Sequence, residues 1–252
     1  GAADVGPVML FQDEFNGPAG GAPPDPAWWH IVPARETIKN PHEWDKPFNM
    51  GRYVTDQEHV FQDGNGNLVI RATRGPRHHH PGEVRQRQDR RQLAWRRRHH
   101  LGSAGQARLP DRRRLAGLLA AQRQPGPGGE IDLVEWYGNR DWPSGGTTVH
   151  ARLDGTSFAT HRHPPIDNAW HTWRMTWLPT GLHFWKDYQP GMEPFFVVPA
   201  NSIADWPFND PPGYTLAPVF NIAVGGSGGR ARGRHVPGRD ARRLDQGLLE
   251  AP

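Results

Sequence analysis

Apolar residues in this chain come in short runs broken by Gly, Pro, Asn and Asp, a pattern that predicts strands and turns rather than helices. His171 to Trp177 reads His-Thr-Trp-Arg-Met-Thr-Trp, a period of two over seven residues, so every second side chain falls on one face of a strand. Pro179-Thr180-Gly181 then turns the chain into Leu182-His183-Phe184-Trp185-Lys186, which predicts a hairpin. Asp63-Gly64-Asn65-Gly66-Asn67 is a strong turn before Leu68-Val69-Ile70-Arg71-Ala72, half of a second hairpin. Phe11 to Gly17 is a short β-like run ending in a turn signal, Pro23 to Pro26 is loop, and Trp28 to Val32 is a strand. Leu216 to Val224 is a buried strand stopped by Gly225-Gly226. There is no internal repeat, and no long segment reads as an amphipathic helix. Many short strands with frequent turns point to a β-sandwich.

Composition agrees. At 252 residues the chain suits one domain with a sizeable core, and Gly 30, Pro 26 and Trp 11 disfavour a helical bundle. No run of about eighteen apolar residues exists, so no membrane-spanning helix is expected. Gly1-Ala2-Ala3-Asp4 carries neither a basic start nor an apolar stretch, so no signal peptide is expected within the chain. With Cys 0, disulfides and thiolate chemistry are excluded.

The formal charge of +4 is unevenly spread. Of 27 Arg, 13 lie in residues 77–123 and 6 in residues 230–252. The rest of the chain holds 11 Lys+Arg against 20 Asp+Glu, a net of −9. Residues 77–123 include His78-His79-His80, Arg96-Arg97-Arg98-His99-His100 and Arg112-Arg113-Arg114, with Trp95 as the one aromatic residue. A solvated basic loop is one reading of them. A nucleic-acid patch is another, disfavoured because neither helical periodicity nor interleaved aromatics accompany the charge.

Candidate chemistry concentrates in Gly128-Gly129-Glu130-Ile131-Asp132-Leu133-Val134-Glu135-Trp136-Tyr137-Gly138. In a strand, Glu130 and Asp132 share one face while Ile131 and Leu133 point into the core. Strict alternation puts Val134 on the carboxylate face; one extra residue, a β-bulge, returns Glu135 to it. The two Glu then stand about 13 Å apart along the backbone. Long side chains leaning inward can narrow this towards the ~5–5.5 Å of a retaining glycosidase. Crowding three carboxyls raises at least one pKa, as a proton donor near neutral pH requires, and Asp132 between the Glu pair biases where the proton resides. The bland alternative, a polar strand face on a solvated sheet, leaves three like charges without a basic partner.

This segment resembles the Glu-x-Asp-x-x-Glu signature of family 16 glycoside hydrolases, in its bulged, laminarinase-like form. Phe11 to Gly17 is similar to the family's Asp-Glu-Phe-Asn-Gly opening, Gly64 to Ala72 to its Gly-Asn-Leu-x-Ile strand, and Phe220 to Gly226 to its Leu-Asn-Leu-Ala-Val-Gly-Gly strand. His171 to Trp185 is similar to its His-Thr-x-x-x-x-Trp hairpin, so the resemblance covers residues 11–76 and 125–229. It implies an all-β jelly roll of two curved antiparallel sheets, concanavalin A-like, with a substrate cleft on the concave face. It also implies Glu130 as nucleophile, Glu135 as acid and then base, and Asp132 as helper, in a two-step mechanism that retains anomeric configuration. Trp136, His150, Asn49 and Arg52 are candidate sugar contacts, though Trp136 also suits the core and His150 also suits a loop-orienting role. No cofactor is required; a structural Ca²⁺, seen in many relatives, is the one metal to consider.

Family members place two further core strands just before the signature and a final strand at the C-terminus, where this chain has its Arg-rich stretches. A strand of family type, Asp-Gly-Ala-Trp-Pro-Ala-Phe-Trp-Leu-Leu-Asn-Asp-Asn-Pro, can be written in GC-rich codons and read from its third base. It becomes Arg-Arg-Leu-Ala-Gly-Leu-Leu-Ala-Ala-Gln-Arg-Gln-Pro, which is Arg113 to Pro125 residue for residue. The same offset makes Leu101 to Ala107 compatible with Trp-Glu-Ala-Arg-Val-Lys. It makes Arg242 to Pro252 compatible with Val-Asp-Trp-Ile-Lys-Val-Phe-Trp-Arg-Pro. Out-of-frame translation of residues from about 77 to 124, and from about 230 onward, is therefore the expectation for one domain spanning 1–252.

These features together describe a secreted, monomeric endo-hydrolase of β-glucan, with β-1,3 linkages the first expectation and a polysaccharide as its partner. Secretion follows from the family and the polymeric substrate. The alternatives are a non-catalytic glucan-binding jelly roll, and an inactive frameshifted relative in which lost strands remove more than the ~5–15 kcal/mol of a domain's net stability. Nucleic-acid binding is a distant third, and steep salt dependence of DNA binding is what would revive it. Resequencing the gene across the codons for Pro76 to Gly129, and from Gly229 to the end, is expected to reveal two small insertions or deletions. An unchanged reading in best-quality DNA would overturn the frame-offset expectation.

Overall fold

The computed structural model describes residues 12–33, 51–73, 78–87, 105–107, 114–121, 129–136, 144–152, 157–165, 169–209, 216–224 and 246–248. Among these the chain is all-β, with two seven-stranded sheets and one two-stranded ladder. No helix among them is long and apolar enough to cross a membrane.

The first sheet carries, in spatial order, β1 (Trp29–Ile31), β6 (Val84–Gln86), β15 (Ala217–Val224), β8 (Arg114–Ala121), β9 (Glu130–Trp136), β10 (Ser144–His150) and β11 (Phe158–Pro165). The second carries β14 (Phe196–Pro199), β13 (Gly181–Lys186), β12 (His171–Leu178), β7 (Gly105–Ala107), β16 (Gln246–Leu248), β4 (Leu68–Ile70) and β3 (Val60–Gln62). Their pairings are antiparallel throughout; β2 (Gly51–Val54) and β5 (His78–Pro81) form a separate parallel pair. The core lies between the two large sheets. Ile131, Leu133 and Val149 reach it from the first, and Trp173, Met175 and Trp177 from the second.

Most of the local expectations follow from the alternation. In β12 the period of two buries Trp173, Met175 and Trp177, each 1% exposed, and Leu178 closes onto Gly181 across the predicted turn. Gly181, at φ 144°, comes close to the backbone of Val198 and Pro199, so a side chain there has no room. In the β3–β4 hairpin, the Asp63 carboxylate accepts the Asn65 and Asn67 amides at 2.7 and 3.2 Å and so holds the turn.

The opening run differs from expectation. Residues 12–18 form no strand, because the Asp13 carboxylate accepts the Phe15 amide at 2.8 Å and Phe15 adopts φ 50°, outside the extended region. That local turn drives the Phe15 ring fully into the core, 5.7 Å from Trp29.

The Arg-rich stretches also differ from their expected lack of strands. β5, β6, β7, β8 and β16 all lie within them, and β8 runs along both β15 and β9. Each of the three segments for which the offset frame restores a family strand holds one here: β7, β8 and β16. Backbone ladders form without regard to reading frame, and Leu115 to Ala121, Leu-Ala-Gly-Leu-Leu-Ala-Ala, contains no charge to oppose one.

Trp29 ties this sheet to the opening segment. Its indole is 2% exposed, lies 5.7 Å from both Phe15 and Phe220, and donates to Asp13 Oδ2 at 2.7 Å. Replacing Trp29 with Ala is expected to cost about 3–5 kcal/mol, read as a lower midpoint in denaturant at unchanged slope.

Candidate active site

The carboxylate face is built by register. Across the β9–β10 ladder Glu130, Asp132 and Glu135 stand opposite His150, Thr148 and Gly146, three positions spaced by two. Across β8–β9 the same residues stand opposite Ala121, Leu119 and Gly117, again spaced by two. Both neighbours show one extra residue in β9 between Asp132 and Glu135, so the bulge is present and all three carboxylates share one face. Ile131, Leu133 and Val134 are buried on the other side.

Asp132 is 1% exposed, whereas Glu130 and Glu135 are half-buried. Burial, the Asp132 charge and a hydrogen bond to Asp132 push the Glu130 carboxyl up to about 9, opposed in part by His150. The two carboxyls therefore hold one proton between them at neutral pH, and that proton belongs to the pair. His150, which stands opposite Glu130 on β10, places Nε2 3.1 Å from Asp132 Oδ2.

His150 thus engages Asp132 directly from strand β10, rather than orienting a loop. Trp136 requires a correction: it is 7% exposed and belongs to the core cluster, since it follows Glu135 and so points through the sheet away from the carboxylates. Arg52 is exposed on β2, in the two-stranded ladder rather than in the sheet that carries β9. Asn49 lies outside the described residues.

Other residues join this face that the linear sequence did not single out. Phe158 stands opposite His150, with ring centroids 6.0 Å apart and the Phe158 side chain half in solvent. Thr160 stands opposite Thr148, their hydroxyls 2.8 Å apart, and Arg162 stands opposite Gly146. Asn221 lies in the row of Glu135, through Gly117. The signals were faint: alternation in Phe158-Ala159-Thr160-His161-Arg162, and a lone polar residue in an apolar run at Asn221.

Among the described residues, two groups bring potential metal-ligand atoms within 4.8 Å of one another: Glu130, Asp132 and His150, and Asp56, Glu58 and His59. Shared protons and hydrogen bonds account for both. His59 uses Nδ1 on Asp56 and Nε2 on Thr73, each at 2.7 Å. In the opening motif Asp13 accepts from Phe15 and Trp29, and Glu14 from Gln12 and Asn16.

The proton on Glu130 has a thermodynamic sign. The folded state keeps a proton that a free carboxyl releases near 4.5, so this contribution to stability is full below that pH and drains away as pH rises towards about 9. Glu130→Gln is expected to remove the alkaline decline, giving a melting temperature above the parent's at pH 8 and a flatter profile from pH 5 to 9. A parallel decline in both proteins would contradict the shared proton.

No family model matches the chain, and no curated protein does. Solved structures do. A glycoside hydrolase family protein from Mycobacterium thermorestibile is 52% identical, with 96% of this chain and 98% of that one covered at a TM-score of 0.75. An immunostimulatory antigen and pseudo beta-1,3-glucanase of Mycobacterium tuberculosis is 41% identical, with 96% and 95% covered at 0.72. A beta-1,3-glucanase from Mycobacterium marinum is 38% identical, with 97% of each chain covered at 0.68. A family 16 glycosyl hydrolase of Mycobacterium smegmatis is 39% identical, with 90% and 93% covered at 0.66. With its jelly-roll sheets and its bulged row of carboxylates, this chain belongs to the family 16 glycoside hydrolases.

Proposed function

We propose that this chain is a secreted, retaining endo-hydrolase of β-glucan that cuts β-1,3 linkages as a monomer. The observation that carries this reading is the placement of Glu130, Asp132 and Glu135 on one face by the β9 bulge. Glu130, ionised while Asp132 keeps the shared proton, attacks the anomeric carbon as the bond to the leaving oxygen breaks. Glu135 gives that oxygen its proton. The product is a glycosyl ester of Glu130 and a shortened glucan. Glu135, now ionised, takes a proton from water, and the hydroxide oxygen displaces Glu130 at the same carbon. Two inversions give net retention.

His150 and Asp132 keep the nucleophile oriented, and the half-exposed Phe158 ring offers an apolar surface of the kind that packs on pyranose C–H groups. Secretion is supported by the polymeric substrate, which cannot enter a cell.

A second reading, glucan binding without hydrolysis, is favoured by the 41% identity to a protein described as a pseudo beta-1,3-glucanase. Incubation with laminarin separates the two. The hydrolase reading expects new reducing ends whose first-formed anomer is β, followed by NMR, and losses of about 10²–10⁴-fold in Glu135→Gln. Glu130→Gln is expected to abolish turnover. Saturable laminarin binding with no reducing ends would establish the second reading instead.

A further inference from the structure

A bulge leaves its extra residue out of the ladder, and here that residue is Leu133, which β8 skips in passing from Val134 to Asp132. Its carbonyl is not left bare. Thr147, fully buried on the core side of β10, donates its hydroxyl proton to Leu133 O at 2.8 Å. The same hydroxyl oxygen lies 2.9 Å from His163 Nε2. Since the Thr147 proton is committed to Leu133, the ring must donate, so Nε2 carries hydrogen.

His163 comes from a second irregularity. The β10–β11 register shifts between Ser144, opposite Pro165, and Gly146, opposite Arg162, leaving one extra residue in β11 where His163 sits. The ring is 5% exposed, packs edge-on against Phe195 at 4.7 Å and lies 5.6 Å from His161. Burial, with the charges of His161 and Lys186, lowers its pKa to about 4. It is therefore a neutral, single-proton donor at the pH of any ordinary assay.

We propose that Thr147 and His163 are positioning residues that lock the β9 bulge, and thereby hold Glu135 on the face and at the distance from Glu130 that catalysis needs. Neither touches substrate. They act on the backbone at Leu133, two residues from Glu135, from the opposite side of the sheet. Without the lock, the buried carbonyl loses the Thr147 hydroxyl, and the bulge can relax towards regular pairing, which turns Glu135 to the core face and Val134 to the other. In its kinetic readout this inference rests on the hydrolase reading given above.

The test compares the parent with Thr147→Val, which removes the hydroxyl at nearly constant volume, and Thr147→Ser, which keeps it. On laminarin, Thr147→Val is expected to lower kcat at least tenfold with KM within twofold and to shift the pH profile, while Thr147→Ser recovers most of the loss. Carbon-13 titration of the glutamate carboxyls reads the same lock without turnover. Thr147→Val should move the Glu130 and Glu135 titrations and speed amide exchange at Val134 and Glu135, and Thr147→Ser should not. Unchanged carboxyl titrations and unchanged exchange in Thr147→Val would overturn the lock, whether or not the parent cuts laminarin. Changed titrations in a parent that cuts nothing would uphold the lock and overturn only the hydrolase reading. If Thr147→Val does not fold, His163→Leu takes its place and is expected to move the same readouts by a smaller amount, since Thr147 still reaches Leu133. No movement there would overturn the lock equally.

Discussion

The parity of a β-strand is the constraint on which the rest of this structure depends. Side chains alternate without exception in regular pairing, so Glu130 and Asp132 share a face and Glu135, an odd number of residues from Glu130, belongs to the other. One extra residue reverses that outcome, and β9 contains it. The insertion removes Leu133 from the β8 ladder, and the Thr147 hydroxyl on the other neighbouring strand donates to its carbonyl. The neighbours of Glu135 are Gly146 and Gly117, so no β-carbon stands directly beside its side chain in either adjacent strand.

Bringing like charges together has an electrostatic cost, and the site meets it by sharing a proton. Asp132 is almost wholly buried between Glu130 and His150, and repulsion plus desolvation hold the pair in its singly protonated form. The proton, the hydrogen bond between the carboxyls and the imidazole form one coupled unit. A single substitution in it therefore changes the titration of the others. The face away from the carboxylates is packed with the aromatic core, and Trp136 serves that core rather than the cleft.

Much of this is legible in the sequence. The β3–β4 and β12–β13 hairpins follow from turn residues and alternation, and the bulge follows from counting residues between carboxylates. The opening run misled because Asp13 competes with the ladder for the Phe15 amide, a local side-chain bond that alternation cannot register. Trp136 was ambiguous until the register showed which side of β9 it occupies. The Arg-rich stretches carry no readable pattern of strand side chains, yet β7, β8 and β16 lie in them, because a ladder is made of backbone groups and two unpaired neighbouring strands supply the partners.

By itself the sequence determined what depends on near neighbours along the chain: the all-β class, the turns, and the set of carboxylates with the one-residue excess that puts them on a common face. Those properties follow from dihedral preferences and parity, which act over a few residues. Only the tertiary structure decided what lies beside that strand. β15 pairs with β8 although roughly a hundred residues separate them, and β10 and β11 bring His150, Phe158 and His163 to opposite faces of one site. Strand order is chosen by closing two sheets over one core, a global minimum of exposed apolar surface that no local stretch of sequence contains.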